Sequence, residues 1–299
     1  METSNMKKTA IAVSLAMALG AGAASADTMT SATFTMKSPG GGNVGRIVMS
    51  AAAKHLTPFT LELGGKSPCV VLPDADLETT AHRIAWGKFT NAGQTCIAPD
   101  YILTDADTEK KLVPLLQEAI REMFGDDPEA SDSYGRIVND RHFARLAAML
   151  ASGEVAVGGE TSAETRYIAP TVLTGVTAES PAMQEEIFGP VMPIARISSY
   201  EEALSVSNAR NDGLSAYLWT RDHGRMMHAV HNLQTGTIFI NKGICGYIQG
   251  YHNGHKLSGL GGEVASRFRL PERTQGIRRL DTPKQMLGEP HLVCAPSQR

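Results

Sequence analysis

Cys96 lies in Asn91-Ala92-Gly93-Gln94-Thr95-Cys96-Ile97-Ala98-Pro99, among small and polar residues rather than in an apolar run. A structural cysteine behaves as a small hydrophobe and keeps apolar company, as Cys69 does in Ser67-Pro68-Cys69-Val70-Val71-Leu72. A thiol in a polar, glycine-bearing loop can instead ionise and serve as a nucleophile, although one cysteine alone does not establish that. Glu62 stands near the end of the apolar stretch Phe59–Leu63, which is followed by Gly64 and Gly65. A carboxylate there is costly if buried without a partner, and strand ends followed by glycines are where α/β proteins place ligands. A salt-bridged or edge-exposed Glu fits the same residues. A thiol and a carboxylate are residue types that can serve as a nucleophile and as a general base.

The elements that must carry these residues alternate in type. Residues 59–63, 69–72, 101–105, 154–159, 191–197, 215–220 and 236–241 are apolar runs of strand length. Helical spacing covers 77–88, 107–124, 140–151, 199–209 and 222–234; in the second of these Leu112, Val113, Leu116, Ile120 and Phe124 share one face. Strands alternating with helices predict an α/β fold with a mostly parallel sheet.

Composition excludes several classes. The chain has 299 residues, 42% hydrophobic and 20% charged, which is globular rather than disordered. A net charge of −3 gives no electrostatic case for a nucleic-acid partner or an acidic membrane surface. Four scattered cysteines, none in a Cys-x-x-Cys pair, make neither a disulfide scaffold nor a structural metal site, so no metal is expected.

The ends differ from the middle. Lys7 and Lys8 precede an apolar run from Ala10 to Leu19, and Ala24-Ser25-Ala26 stands before Asp27. A positive start, a short apolar stretch and a small-residue cleavage site read 1–26 as a signal peptide. That run is too short for the ~20 residues a membrane span needs. The reading sends the mature chain to the periplasm or outside the cell with no membrane segment, in conflict with the reduced thiol that Cys96 chemistry needs. Residues 27–42 read as a polar, Gly-rich linker. Residues 265–299 carry six Arg and one Lys against three acids, with Pro271, Pro283, Pro290 and Pro296, and look appended rather than folded.

Three segments, Leu61–Pro68 (LELGGKSP), Gly93–Pro99 (GQTCIAP) and Gln184–Pro190 (QEEIFGP), resemble the central signatures of the NAD(P)-dependent aldehyde dehydrogenases in order and spacing, with Glu62 and Cys96 34 positions apart. Asn253-Gly254-His255-Lys256-Leu257-Ser258-Gly259 is similar to a fourth motif, with Asn for its first Gly. Residues 54–185 look closest to the fatty-aldehyde (class 3) branch, and about 191–263 to the lactaldehyde-oxidising branch.

The resemblance implies that Cys96 adds to an aldehyde carbonyl and carries the resulting thioester, with its backbone N–H as one oxyanion donor. It implies that Glu62 deprotonates the hydrolytic water. Glu186 and Phe188 would hold the nicotinamide ribose and pack on the ring, while Gly64 and Gly65 let the backbone come close. Gly40 to Gly45 stand where the family has its phosphate turn, with a helix over about 44–55 pointing at the pyrophosphate. Asn241 matches a position near the substrate; a strand-end turn residue is an equal reading.

A domain division follows: 27–62 as linker and remnant of a Rossmann-like dinucleotide-binding domain, 63–264 as catalytic domain, 265–299 as a basic tail. A family member carries most of its dinucleotide-binding residues ahead of the Leu61–Gly65 strand, so binding of NAD or NADP is expected to be weak. The family's oligomer-building C-terminal strand is replaced after Glu263, which puts a homo-oligomer in question. Three functions remain open: an aldehyde dehydrogenase impaired by truncation, a cofactor-independent thiol esterase, and a non-enzymatic fragment.

Overall fold

The computed structural model describes residues 32–35, 41–57, 59–210, 212–244, 252–253, 255–260, 262–263 and 285–287. The signal-like segment, Gly40, Cys245 and Cys294 lie outside them. The strands are β1 (Ala32–Thr35), β2 (Phe59–Glu62), β3 (Pro68–Val71), β4 (Tyr101–Thr104), β5 (Glu154–Val157), β6 (Thr161–Ser162), β7 (Tyr167–Ile168) and β8 (Thr171–Val176). They continue with β9 (Val191–Arg196), β10 (Ser215–Trp219), β11 (Thr237–Ile240), β12 (His252–Asn253), β13 (Gly259–Leu260), β14 (Gly262–Glu263) and β15 (Gln285–Leu287).

Eight of these form one sheet in the order β15-β11-β10-β3-β4-β9-β8-β5, parallel throughout except for β5, which runs antiparallel to β8 at the edge. The inner strands β3, β4, β10 and β11 are buried at every residue, the pattern of strands covered on both faces. Edge strand β5 is exposed along most of its length. The α/β fold with a mostly parallel sheet is therefore as expected.

The helices are α1 (Gly41–Ala53), α2 (Leu77–Phe89), α3 (Ala106–Phe124), α4 (Asp140–Met149), α5 (Pro181–Gln184), α6 (Tyr200–Asn208) and α7 (His223–Asn232). Five start on a side chain that accepts a backbone N–H of the first turn: Asp76, Asp105, Asn139, Ser199 and Asp222. On α3 the apolar face from Leu112 to Phe124 is buried as the periodicity predicts. Among the described residues no helix is long and apolar enough to cross a membrane.

The ends of the chain depart from the sequence reading. Residues 32–35, inside the supposed linker, form β1, which pairs in parallel with β2 and places Thr35 beside Glu62. Residues 285–287, inside the supposed appended tail, form β15 and extend the large sheet beside β11. Composition could not show either strand, because each is short and held by pairing with a distant segment. The Gly-rich run is already helical from Gly41 rather than a turn ahead of the helix. The boundary at 62/63 falls where the chain leaves the three-stranded sheet β1-β2-β13 for the large one, yet β13 returns to pair with β2.

Candidate active site

Three adjacent strands of the large sheet, β3, β4 and β9, bring the chemistry together. Each is preceded by one of the three motif segments: 61–67 leads into β3, 93–100 into β4, and 184–190 into β9. Because these strands run parallel, the segments converge on one edge of the sheet, at the amino ends. The carboxyl ends of β4, β9 and β10 are instead followed by the helix caps Asp105, Ser199 and Asp222.

Asp100 ties the three segments into one body. Its backbone N–H donates to Ser67 O at 2.8 Å, and its carboxylate accepts from Lys66 Nζ at 2.5 Å and from the backbone N–H of Ile187 at 3.2 Å. Lys88 Nζ stands 3.7 Å from the other carboxylate oxygen, beyond hydrogen-bond distance. Both lysines are almost wholly enclosed, at 1% and 0% exposure. Burial lowers the Lys66 pKa and pushes that of Lys88 down to about 8, against the attraction of Asp100.

The Cys96 loop is fixed on both sides. Gln94 donates to the carbonyls of Asn91 and Arg136 and accepts from Val138 N, while the Tyr217 hydroxyl donates to Ile97 O. Gly93 has φ +70 and lies so close to Gly189 that a Cβ would be 2.2 Å from its carbonyl oxygen. Only glycine meets both demands. Cys96 itself is partly exposed and forms no disulfide. Cys69 is fully buried, and burial pushes its thiol up to about 12.

Glu62 is buried at the carboxyl end of β2, with Gly259 of β13 as its strand partner. Gly64 lies directly against Glu186: a Cβ there would stand 2.0 Å from Oε2. The Glu186 carboxyl accepts from the backbone of Gly65, and its Oε1 is buried with no hydrogen-bond partner. Burial first, and then repulsion from Asp100, push Glu186 up to about 8. From α4, Arg145 donates to the carbonyls of Glu186 at 3.2 Å and Ile187 at 2.5 Å and pairs with Glu185, bracing the turn. Phe188 sits half-buried in that turn with φ 49.

Other expected residues are engaged by the protein itself. The space beside Gly65 is filled by Leu214, whose Cβ would be 2.4 Å from an added Cβ. Gly45 packs α1 onto Leu61 and Leu63. Asn241, with φ 51, accepts from Thr220 N at 3.0 Å and donates to Thr220 O at 2.8 Å, so its amide closes the end of β10. Sequence reasoning passed over Lys66, Lys88 and Asp100. Lys88 had a signal: it lies one turn after Ile84 on the buried face of α2, where a charge needs a partner. Among the described residues no group of three or more His, Cys, Asp or Glu side chains could hold a metal ion.

Residues 15–274 match the sequence profile of the Aldehyde dehydrogenase family. The dimeric NADP-preferring aldehyde dehydrogenase of Rattus norvegicus is 48% identical over 202 residues, covering 68% of this chain and 45% of the relative. Aldehyde dehydrogenase family 3 member B1 of Homo sapiens is 46% identical over 207 residues, covering 69% and 43%. Among solved structures, the substrate-bound state of Staphylococcus aureus AldH matches with a TM-score of 0.75 and 39% identity, over 79% of this chain and 52% of that one. Lactaldehyde dehydrogenase from Escherichia coli matches with a TM-score of 0.70 and 32% identity, over 78% and 50%. The chain thus spans about half the length of the relatives it matches, or less. With its three signatures assembled on one sheet edge, the chain belongs to the aldehyde dehydrogenase family.

Proposed function

We propose that this site oxidises an aldehyde to the carboxylic acid with NAD or NADP, using Cys96 as nucleophile and Glu62 as base. The observation that carries the reading is the convergence on Asp100 of the three segments that contain Glu62, Cys96 and Glu186. The residues present suit the cofactor: Glu186 offers a buried oxygen without a partner, over a glycine that gives the carboxyl room. A carboxyl so placed suits a ribose hydroxyl, and Phe188 in the same turn suits the ring. NAD(P) bound there supplies the hydride acceptor.

An aldehyde carbon has no leaving group, so it must become tetrahedral before hydride can depart. Addition of the Cys96 thiolate achieves this by forming the C–S bond and an oxyanion. The later thioester is opened by water. Glu62 takes the proton from that water as the hydroxyl adds to the acyl carbon, the C–S bond breaks, and the electron pair returns to Cys96 sulfur.

Thioester hydrolysis needs only the thiol and the carboxylate, so an activated ester tests these two groups without a hydride acceptor. A cofactor-independent thiol esterase is accordingly the second reading. The purified chain is assayed for aldehyde-dependent NAD(P)H formation and for p-nitrophenyl acetate hydrolysis. Cys96→Ala should abolish both activities, and Glu62→Gln should slow both. Ester hydrolysis without aldehyde oxidation selects the second reading. A parent chain no more active than Cys96→Ala overturns both and leaves a non-enzymatic fragment.

A further inference from the structure

We infer that Ser258 is the positioning residue for Glu62, acting through the two-residue strand β13. The inference rests on the reading of Glu62 as the base, and it begins from the weakness of β13. A strand of two residues makes too few ladder bonds to fix its own register, and a slip of one residue turns every side chain to the opposite face. β13 nevertheless flanks β2 where register matters most, with Gly259 opposite Glu62 and Leu260 opposite Leu61.

The register is set by the turn immediately before it. Residues Lys256–Ser258 form a single 3-10 turn. The Ser258 hydroxyl closes that turn twice: it accepts from the backbone N–H of His255 at 2.7 Å and donates to the carbonyl of His255 at 2.7 Å. Ser258 also donates its own N–H to the same carbonyl at 3.1 Å. Its carbonyl then accepts the N–H of Leu63 at 3.0 Å, the residue next to Glu62. The hydroxyl is completely buried, so water cannot replace it if it is removed. A second contact steadies the turn from outside, where Lys256 Nζ donates to the Gln234 side chain at 2.5 Å. The chain of contacts runs from hydroxyl to His255 backbone to Ser258 carbonyl to Leu63, and so to the direction in which Glu62 leaves its strand. Cys96 is anchored separately, by Gln94, Tyr217 and Gly189. Ser258 should therefore govern the Glu62 step and spare the Cys96 step.

The test compares the full chain with Ser258→Ala, Ser258→Thr, Glu62→Gln and the double variant Ser258→Ala/Glu62→Gln. The rate of Cys96 alkylation by iodoacetamide reports the thiol, and p-nitrophenyl acetate turnover reports the whole cycle. In Ser258→Ala, alkylation should stay within about twofold of the parent while turnover falls about ten- to a hundredfold, the scale of a misplaced catalytic group. Ser258→Thr, which keeps the hydroxyl, should restore most of the turnover. The double variant should be no slower than Glu62→Gln, because both changes remove one function. Equal loss of alkylation and turnover, or a double variant slower than Glu62→Gln, overturns the inference. Hydrogen exchange of the peptide spanning 59–66 gives a readout independent of activity. Ser258→Ala should raise exchange at Leu63 and Ser258→Thr should not. If the parent shows no Cys96-dependent turnover, the functional reading fails by itself. Unchanged exchange in Ser258→Ala would sink the positioning role in either case.

Discussion

Gly64 and Glu186 are in direct contact: the position a Cβ would take on Gly64 lies 2.0 Å from Glu186 Oε2 and 2.7 Å from its Cδ. The contact joins the segment before β3 to the segment before β9, and it leaves no room for any side chain. Gly64→Ala must push the carboxyl off the Gly65 N–H or shift the backbone, at a cost of about 1–3 kcal/mol of unfolding free energy. Combining it with Glu186→Ala removes the overlap, so the double variant should be more stable than the sum of the single losses. Urea unfolding of the four proteins checks this; additive losses would mean the two residues do not compete for space.

The buried charges around Asp100 give stability a particular pH dependence. Glu186 titrates near 8 in the fold against an ordinary value of 4.5, so between those values the folded chain holds a proton the unfolded chain has lost. Stability from this group is complete below pH 4.5 and declines as pH rises through 8. Lys88 behaves oppositely. Its value falls from 10.5 to about 8, so between those limits the unfolded chain holds the extra proton and stability recovers with rising pH. Their joint contribution therefore has its minimum near pH 8, each limb with a slope of at most about 1.4 kcal/mol per pH unit. Subtracting the Glu186→Gln profile from the parent should isolate the falling limb, and subtracting Lys88→Met the rising one. A flat difference for either variant would show that the group titrates normally.

What the sequence made legible was local. Leu112, Leu116, Ile120 and Phe124 announce α3 because a helix buries residues at its own period, with no help from distant segments. Glu62 and Cys96 stand out because each residue type is odd among its neighbours. β8 was passed over: Thr171-Val172-Leu173-Thr174-Gly175-Val176 has weak alternation and a glycine at φ +66, and it is a strand because β9 and β5 pair with it. The same reason hid the role of Asp100. A carboxylate after Pro99 looks like an ordinary surface residue until Lys66, Lys88 and Ile187 are seen to meet on it.

Asp100 is accordingly the residue whose loss should cost most stability. Removing its charge leaves Lys66 and Lys88 buried with their shared counter-charge gone. Breaking a buried pair in this way costs about 3–5 kcal/mol. Asp100→Asn keeps the size and could keep the Ile187 bond, so any large loss it shows is electrostatic. Adding Lys88→Met should return part of that loss by removing one uncompensated charge. The measurement is the denaturation midpoint of Asp100→Asn with and without Lys88→Met. If Asp100→Asn unfolds at the parental midpoint, the charges are not coupled through Asp100.

The two described cysteines should differ in reactivity for reasons of environment alone. Cys69 has zero exposure in β3, and its thiol is raised to about 12, so almost none is thiolate at neutral pH. Cys96 is partly exposed in a loop held open by Gly93, Gln94 and Tyr217. Brief treatment with iodoacetamide at neutral pH, followed by peptide mapping, should label Cys96 while leaving Cys69 untouched. Cys69 should become reactive only when urea unfolds the sheet, at the same denaturant concentration as the global transition. Gly93→Ala offers a control on the loop itself, because a Cβ there would overlap the Gly189 carbonyl at 2.2 Å and would strain the left-handed backbone. It should alter the rate at Cys96 and leave Cys69 protected, since β3 is enclosed between β4 and β10 and Cys69 has zero exposure there. Labelling of Cys69 at the rate of Cys96 in the native chain would mean that the large sheet is not formed around it.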